Sequence, residues 1–202
     1  RIVFVNKMAR ENANPDRIVQ QLRSIFGVNA VPVQAPIGSE SSFKGVIDLL
    51  SQQAYVGAEG KKEGVPAALA DDVAEARTKL IEAAAEGDDD LIMKYFDGEE
   101  LTPAEIARGL ASGIRQGNLV PVLFGDATHN IGIQALLTDL TQLLPAYQDG
   151  KGAAATDAND AAVTVAPEAS GPVVLYCFKT MADPFVGKLT FFRVLSGELT
   201  ME

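Results

Sequence analysis

One cysteine and one histidine are all that 202 residues contain of those two types. A lone Cys177 excludes an internal disulfide framework and a cysteine-based zinc site. A lone His129 removes His-rich metal sites and most His-centred catalytic constellations; it is expected in a solvent-facing loop. No apolar run approaches the roughly 18 residues of a membrane-spanning helix. Bases are outnumbered by acids, 17 to 27, and the net charge of −10 argues against general electrostatic capture of nucleic acid. A GxxxxGK[ST] phosphate loop is missing too. The Gly187-Lys188 pair has Ala182 five residues before Gly187 and Leu189 after Lys188.

What is present is enough for a core. Hydrophobic residues make up 47% of the chain, and the length suits one large domain or two small ones, so wholesale disorder is excluded. Residues 1–7 (RIVFVNK) begin inside an apolar, β-branched run without a start methionine, and the last residues follow another strand-like run. The expectation is a piece of a longer protein. No signal-peptide or lipidation motif occurs in it.

Asn14 and Pro15 offer a cap and a first-turn proline for a helix with Ile18, Val19, Leu22 and Ile25 on one face, ended by Gly27. Residues 31–37, 43–49 and 53–56 read as strands. Leu69, Val73, Ala76, Leu80 and Ala84 form a helical stripe, and 89–96 reads as a short helix. Thr102-Pro103-Ala104-Glu105 is a capping box with proline behind the cap, opening a helix stopped by Gly117. Residues 120–124 return to a strand. Ile133, Leu136, Leu137, Leu140, Leu143 and Leu144 make the strongest amphipathic helix. Residues 146–171, rich in Ala, Asp and Gly, read as a linker. From Pro172 the pattern is β, over 173–178 and 188–195 around a turn at Asp183-Pro184, which places Cys177 in a strand core.

Charge is concentrated. Between Glu59 and Glu105 stand 14 acids and 5 bases, a net −9. This is either the solvated face of helices or a docking surface for a basic or amphipathic partner. The acids at Asp71-Asp72, at 88–90 and at Glu99-Glu100 read as helix-start charges favoured by the dipole rather than an acid/base pair.

Two strand exits could carry chemistry. Asn6-Lys7-Met8 follows the first strand, where open α/β sheets place ligand loops. The Asn amide can hydrogen-bond a purine edge, and the Lys stem can cover a sugar. Gly125-Asp126-Ala127 follows the strand at 120–124, and its small residues let backbone N–H groups approach a ligand. The two exits are neighbours if both strands pair in one parallel sheet.

Several segments resemble bacterial elongation factor G, a family of translational GTPases. They are Phe4-Val5-Asn6-Lys7-Met8 with Asn12-Ala13-Asn14, Pro36-Ile37-Gly38-Ser39-Glu40, Phe43-Lys44-Gly45-Val46-Ile47-Asp48-Leu49, Lys94-Tyr95-Phe96-Asp97-Gly98-Glu99-Glu100, and FKTMADPFVGKLTFFRV over 178–194. The resemblance is collinear over essentially the whole chain. It implies an α/β fold: the end of a P-loop GTPase-like parallel sheet at 1–36 and its last strand and helix at 119–145, interrupted by an inserted α+β subdomain at 37–118. A linker at 146–171 and the first strands of a β-barrel at 172–202 would follow. It further implies ribosomal translocation with GTP and Mg²⁺ as cofactors of a cytoplasmic parent. The phosphate loop, switch regions and magnesium ligands would lie before Arg1, leaving the piece itself non-catalytic and without bound cofactor. Expected partners are the ribosome and its stalk protein, through the acidic insert, and open strand edges favour self-association.

By the same resemblance, Asn6 and Lys7 belong to the fourth guanine-nucleotide motif, Asn-Lys-x-Asp, and Gly125, Asp126 and Ala127 to the fifth, usually Gly-Ser-Ala. Two residues depart from it. Ala9 stands where the family has the aspartate that accepts two hydrogen bonds from guanine, and Asp126 stands for serine. The alternative is therefore a divergent paralogue, a ribosome- or stalk-binding module or ribosomal protection protein, with lost guanine specificity.

Overall fold

The computed structural model describes residues 1–201. They divide into two units, 1–144 and a second beginning at Pro145. In order, the first holds β1 (Val3–Val5), α1 (Pro15–Phe26), β2 (Ala30–Pro32), β3 (Gln34–Ile37), β4 (Gly45–Asp48), β5 (Gln53–Val56) and β6 (Lys61–Glu63), then α2 (Ala70–Ala85), α3 (Asp89–Phe96), α4 (Pro103–Gln116), β7 (Val120–Phe124) and α5 (Ile133–Leu143). The fold is mixed α/β, with one parallel sheet and several antiparallel ones.

The parallel sheet has the order β1-β7-β2, with Val3 opposite Val122 and Ala30 opposite Val120. Strand β7 is buried throughout, as a central parallel strand should be. Its side chains alternate: Val122 and Phe124 join Met8, Val19, Phe43 and Tyr55 in one apolar cluster, and Leu123 joins Leu80, Ile106, Leu110 and Leu143 in the other.

The expected strand at 31–37 is two strands. Val33 donates its N–H to Val122 O at 3.1 Å, a rung of the parallel sheet, and its carbonyl accepts from Leu49 N at 3.0 Å. Beyond it the chain enters an antiparallel sheet of order β3-β4-β5-β6. Composition hides this because the apolar pattern runs through the change of partner. Strand β6 went unforeseen: it is exposed along its length and carries no burial signal.

Helix starts follow their local chemistry. Asn14 Oδ1 accepts from Arg17 N at 2.8 Å, and Gly27 closes α1 at φ 61°. The Thr102–Glu105 capping box forms with both reciprocal bonds, and Gly117 ends α4 at φ 81°. Asp71 and Asp72 lie in the first turn of α2, and Asp89 and Asp90 in that of α3, beneath the Asp88 cap. Helices α2 and α4 approach closely through Gly109, whose missing side chain leaves room for the Ala84 carbonyl. Two expected core positions face water: Ile25, at the end of α1, and Leu137, on the outer side of α5.

The second unit holds two antiparallel hairpins, β8 (Ala153–Thr156) with β9 (Ala162–Val165), and β10 (Val174–Asp183) with β11 (Gly187–Ser196). The stretch expected as a linker thus carries a hairpin; half of its strand residues are alanine, a weak β-former that gave no signal. Cys177 is exposed rather than core, because a two-stranded ribbon cannot bury a face on its own. Gly187 and Lys188 open β11 just past the tight turn. Among the described residues no helix is long and apolar enough to cross a membrane.

Candidate functional site

The two strand exits are neighbours because β1 and β7 pair in parallel. Asn6 Oδ1 accepts from Lys7 N at 2.8 Å and from Ala127 N at 2.9 Å, so one side-chain oxygen ties both exits together. The Ala127 N–H, expected to face a ligand, is thereby spent inside the protein. Both acceptor sites of Asn6 Oδ1 are used, and its amide NH₂ donates to no described residue. Lys7 takes the left-handed conformation, φ 66°, with its side chain exposed. Met8 then plunges back to 1% exposure and donates its N–H to Gly125 O at 3.1 Å, anchoring the turn.

Gly125 is small for a packing reason. A Cβ there would come within 2.6 Å of the Phe4 ring and 2.8 Å of Ile131 O. The next residue departs furthest from what sequence implied. Asp126 is 2% exposed, and its carboxylate accepts from three N–H groups. Ala9 N reaches Oδ2 at 3.2 Å; His129 N and His129 Nδ1 reach Oδ1 at 3.2 and 2.9 Å. Burial pushes the Asp126 carboxyl up, but the hydrogen bonds from the His129 ring, His129 N and Ala9 N outweigh it and hold the group below its ordinary value. Asp126 is therefore a carboxylate that locks two loops, not a free acceptor facing outward.

Sequence reasoning left two participants aside. His129 lies in an exposed loop as expected, but its ring is fixed by Asp126; an Asp-x-x-His spacing just past a strand was the available signal. Glu40 closes the rim from the insert side. It donates its N–H to Met8 O at 3.0 Å, and its Oε1 accepts from Asn12 N at 2.9 Å. Asn6, Lys7, Gly125, Asp126 and Ala127 are thus all brought together, with roles divided between structure and availability. Asn6 NH₂, the Lys7 side chain and His129 Nε2 remain for a ligand, while the half-buried Ala9 packs against the apolar cluster of Met8 and Phe124.

No family model matches the sequence. The chain is similar to a solved structure of a protein from Thermus thermophilus, with a TM-score of 0.76 and 25% identity. The match covers 98% of this chain and 27% of that one, so this chain spans about a quarter of that protein's length.

Proposed function

We propose that this chain is the middle section of a translation factor resembling elongation factor G, with the two strand exits as the base-facing end of its nucleotide pocket. The observation that carries the reading is the Asn6 Oδ1 to Ala127 N–H bond between neighbouring parallel strands. It joins the fourth-motif asparagine to the fifth-motif loop and leaves the Asn6 amide free for a purine edge. In this reading GTP and Mg²⁺ serve the whole factor. Asn6 and Lys7 fit the base and sugar, and the phosphates and metal are held by residues outside this chain, so the chain alone does not hydrolyse GTP. The parallel sheet is the end of a GTPase-like domain, and the β10–β11 hairpin opens a β-barrel. The acidic insert is the surface for the ribosomal stalk protein, and the factor works in the cytoplasm.

Ala9 favours a member with relaxed guanine selectivity. A methyl cannot accept from the ring N–H or amino group, and Asp126 is turned inward to three other donors. A hydrogen bond to a charged acceptor contributes about 1.5–3 kcal/mol, so its loss weakens GTP binding on the order of ten- to a hundredfold. Competition titrations of GTP, ATP and XTP on the longer factor and its Ala9→Asp variant test this. Weak base preference in the parent and restored GTP preference in the variant are expected. Strong GTP preference in the parent, unchanged by the substitution, overturns the selectivity argument, and absence of nucleotide binding in both overturns the pocket.

A further inference from the structure

The Asp126–His129 pair offers a ligand contact that the resemblance assigns to neither residue. The carboxylate lies almost wholly inside the protein and already accepts the backbone N–H groups of Ala9 and His129. An ionised carboxylate only accepts, so the His129 nitrogen 2.9 Å from Oδ1 must carry the proton. Nδ1 is that nitrogen. In the neutral ring Nε2 is left bare, as a single lone-pair acceptor on a side chain that is 62% exposed.

The ring is held as well as oriented. Asp126 and Ile131 exchange backbone hydrogen bonds at 2.9 and 3.0 Å, closing the loop on both sides of His129. Asn130 Nδ2 donates to Ala58 O at 2.7 Å, fastening the same loop to the insert. The two oxygens of one carboxylate grip the Ala9 N–H and the imidazole, so a single carboxylate bridges the ring to the Ala9 backbone.

We propose that His129 is the purine-contacting residue of this site, accepting one base N–H at Nε2, and that Asp126 is its positioning residue. The proposal rests on the nucleotide-pocket reading above and adds a chemical preference to it. A carboxylate can take both the ring N–H and the 2-amino group of guanine; one imidazole nitrogen takes one donor. The site therefore accepts any purine with an N–H on its six-membered edge. Hypoxanthine serves as well as guanine, the adenine 6-amino group also serves, and unsubstituted purine does not.

Because the chain has one histidine, a ¹⁵N-labelled sample gives one set of ring signals. Spectra of the 202-residue chain at about pH 8 should show Nδ1 protonated and Nε2 bare. Asp126→Ser should move the ring away from that tautomer, which a merely space-filling Asp126 would not do. Millimolar IMP, GMP and AMP should each shift Nε2 toward the hydrogen-bonded value, and purine riboside monophosphate should not. A bare Nδ1 in the unaltered chain overturns the proposal, and so does an equal Nε2 shift with purine riboside monophosphate. If the Ala127 amide and Asn6 NH₂ signals respond to IMP and Nε2 stays still, the pocket stands and the role of His129 falls. If none of these signals responds to any nucleotide, both fall.

Discussion

Gln34 Nε2 donates to Asp139 Oδ2 across 2.6 Å, joining residues 105 positions apart, both nearly sealed from water. Gln34 Oε1 accepts from Phe124 N at 3.0 Å, so one amide pins β3 to β7 and to α5. The pairing has an electrostatic consequence. Burial, with the nearby charge of Asp48 adding to it, pushes the Asp139 carboxyl up to about 7, and the Gln34 hydrogen bond only partly opposes this.

Asp139 should make the protein less stable as pH rises from about 4 to about 7. In that window the folded chain holds a proton that the unfolded chain has released, so unfolding becomes easier with rising pH and levels off above it. Asp139→Asn keeps an acceptor for Gln34 without the charge. It should raise stability at pH 8 by about 2–4 kcal/mol and change little at pH 4. Urea midpoints at the two pH values read this directly, and an equal effect at both would show that Asp139 is ionised in the folded protein.

Glu105 should behave in the opposite sense. Hydrogen bonds from Lys94 Nζ, Thr102 N and Thr102 Oγ1, with the Lys94 charge, hold its carboxyl down to about 2. A depressed value in the folded state stabilises above about pH 4.5, and that contribution disappears as pH falls through 2. Melting temperatures of the parent and Glu105→Gln should separate at neutral pH and converge at the acid end. Parallel curves would mean the charge is irrelevant.

Gly109→Ala should destabilise although alanine is the better helix former. The added methyl meets the Ala84 carbonyl and the Leu91 side chain where α2 and α4 cross. Overpacking costs about 1–3 kcal/mol, more than the ~1 kcal/mol propensity gain. Gly64→Ala is the control: no atom lies within 4 Å of its new methyl, so denaturation midpoints should hardly move. A neutral Gly109→Ala would mean the helices can separate without loss.

Reversing the charges of Asp71, Asp72 and Glu75 should weaken binding of the ribosomal stalk protein, on the reading that the insert is its docking surface. All three are exposed, so their effect is screened beyond about 8–10 Å at physiological salt and should fade as salt is added. Calorimetric titration at low and high salt reads both effects. Salt-insensitive binding that survives the reversal would place the contact elsewhere.

Where burial and local capping dictate structure, the sequence was legible. Strand β7 is a solid apolar run, and the Thr102 and Asn14 caps sit where their side chains must. The two strands themselves were visible, but their parallel pairing stood only as a condition until the register of Val3 with Val122 met it. Hidden were features set by partners distant in sequence: the change of sheet at Val33, the exposed edge strand β6 and the alanine hairpin β8–β9. The site shows the same division. Its five residues could be named, but not that Ala127 N–H is taken by Asn6 or that Asp126 faces inward. Those outcomes depend on which donors converge once two loops meet.

Val33, where the backbone passes from one sheet into the other, has a mechanical meaning. The insert leaves the parallel sheet with no slack loop, and it returns from α4 to β7 across only Gly117, Asn118 and Leu119. Its helices also pack directly onto the sheet, with Leu80, Ile106 and Leu110 sharing a core with Leu123 of β7. The segment between β2 and β7 is thus seamed to the parallel sheet twice, by unbroken backbone at Val33 and by the core it shares with Leu123.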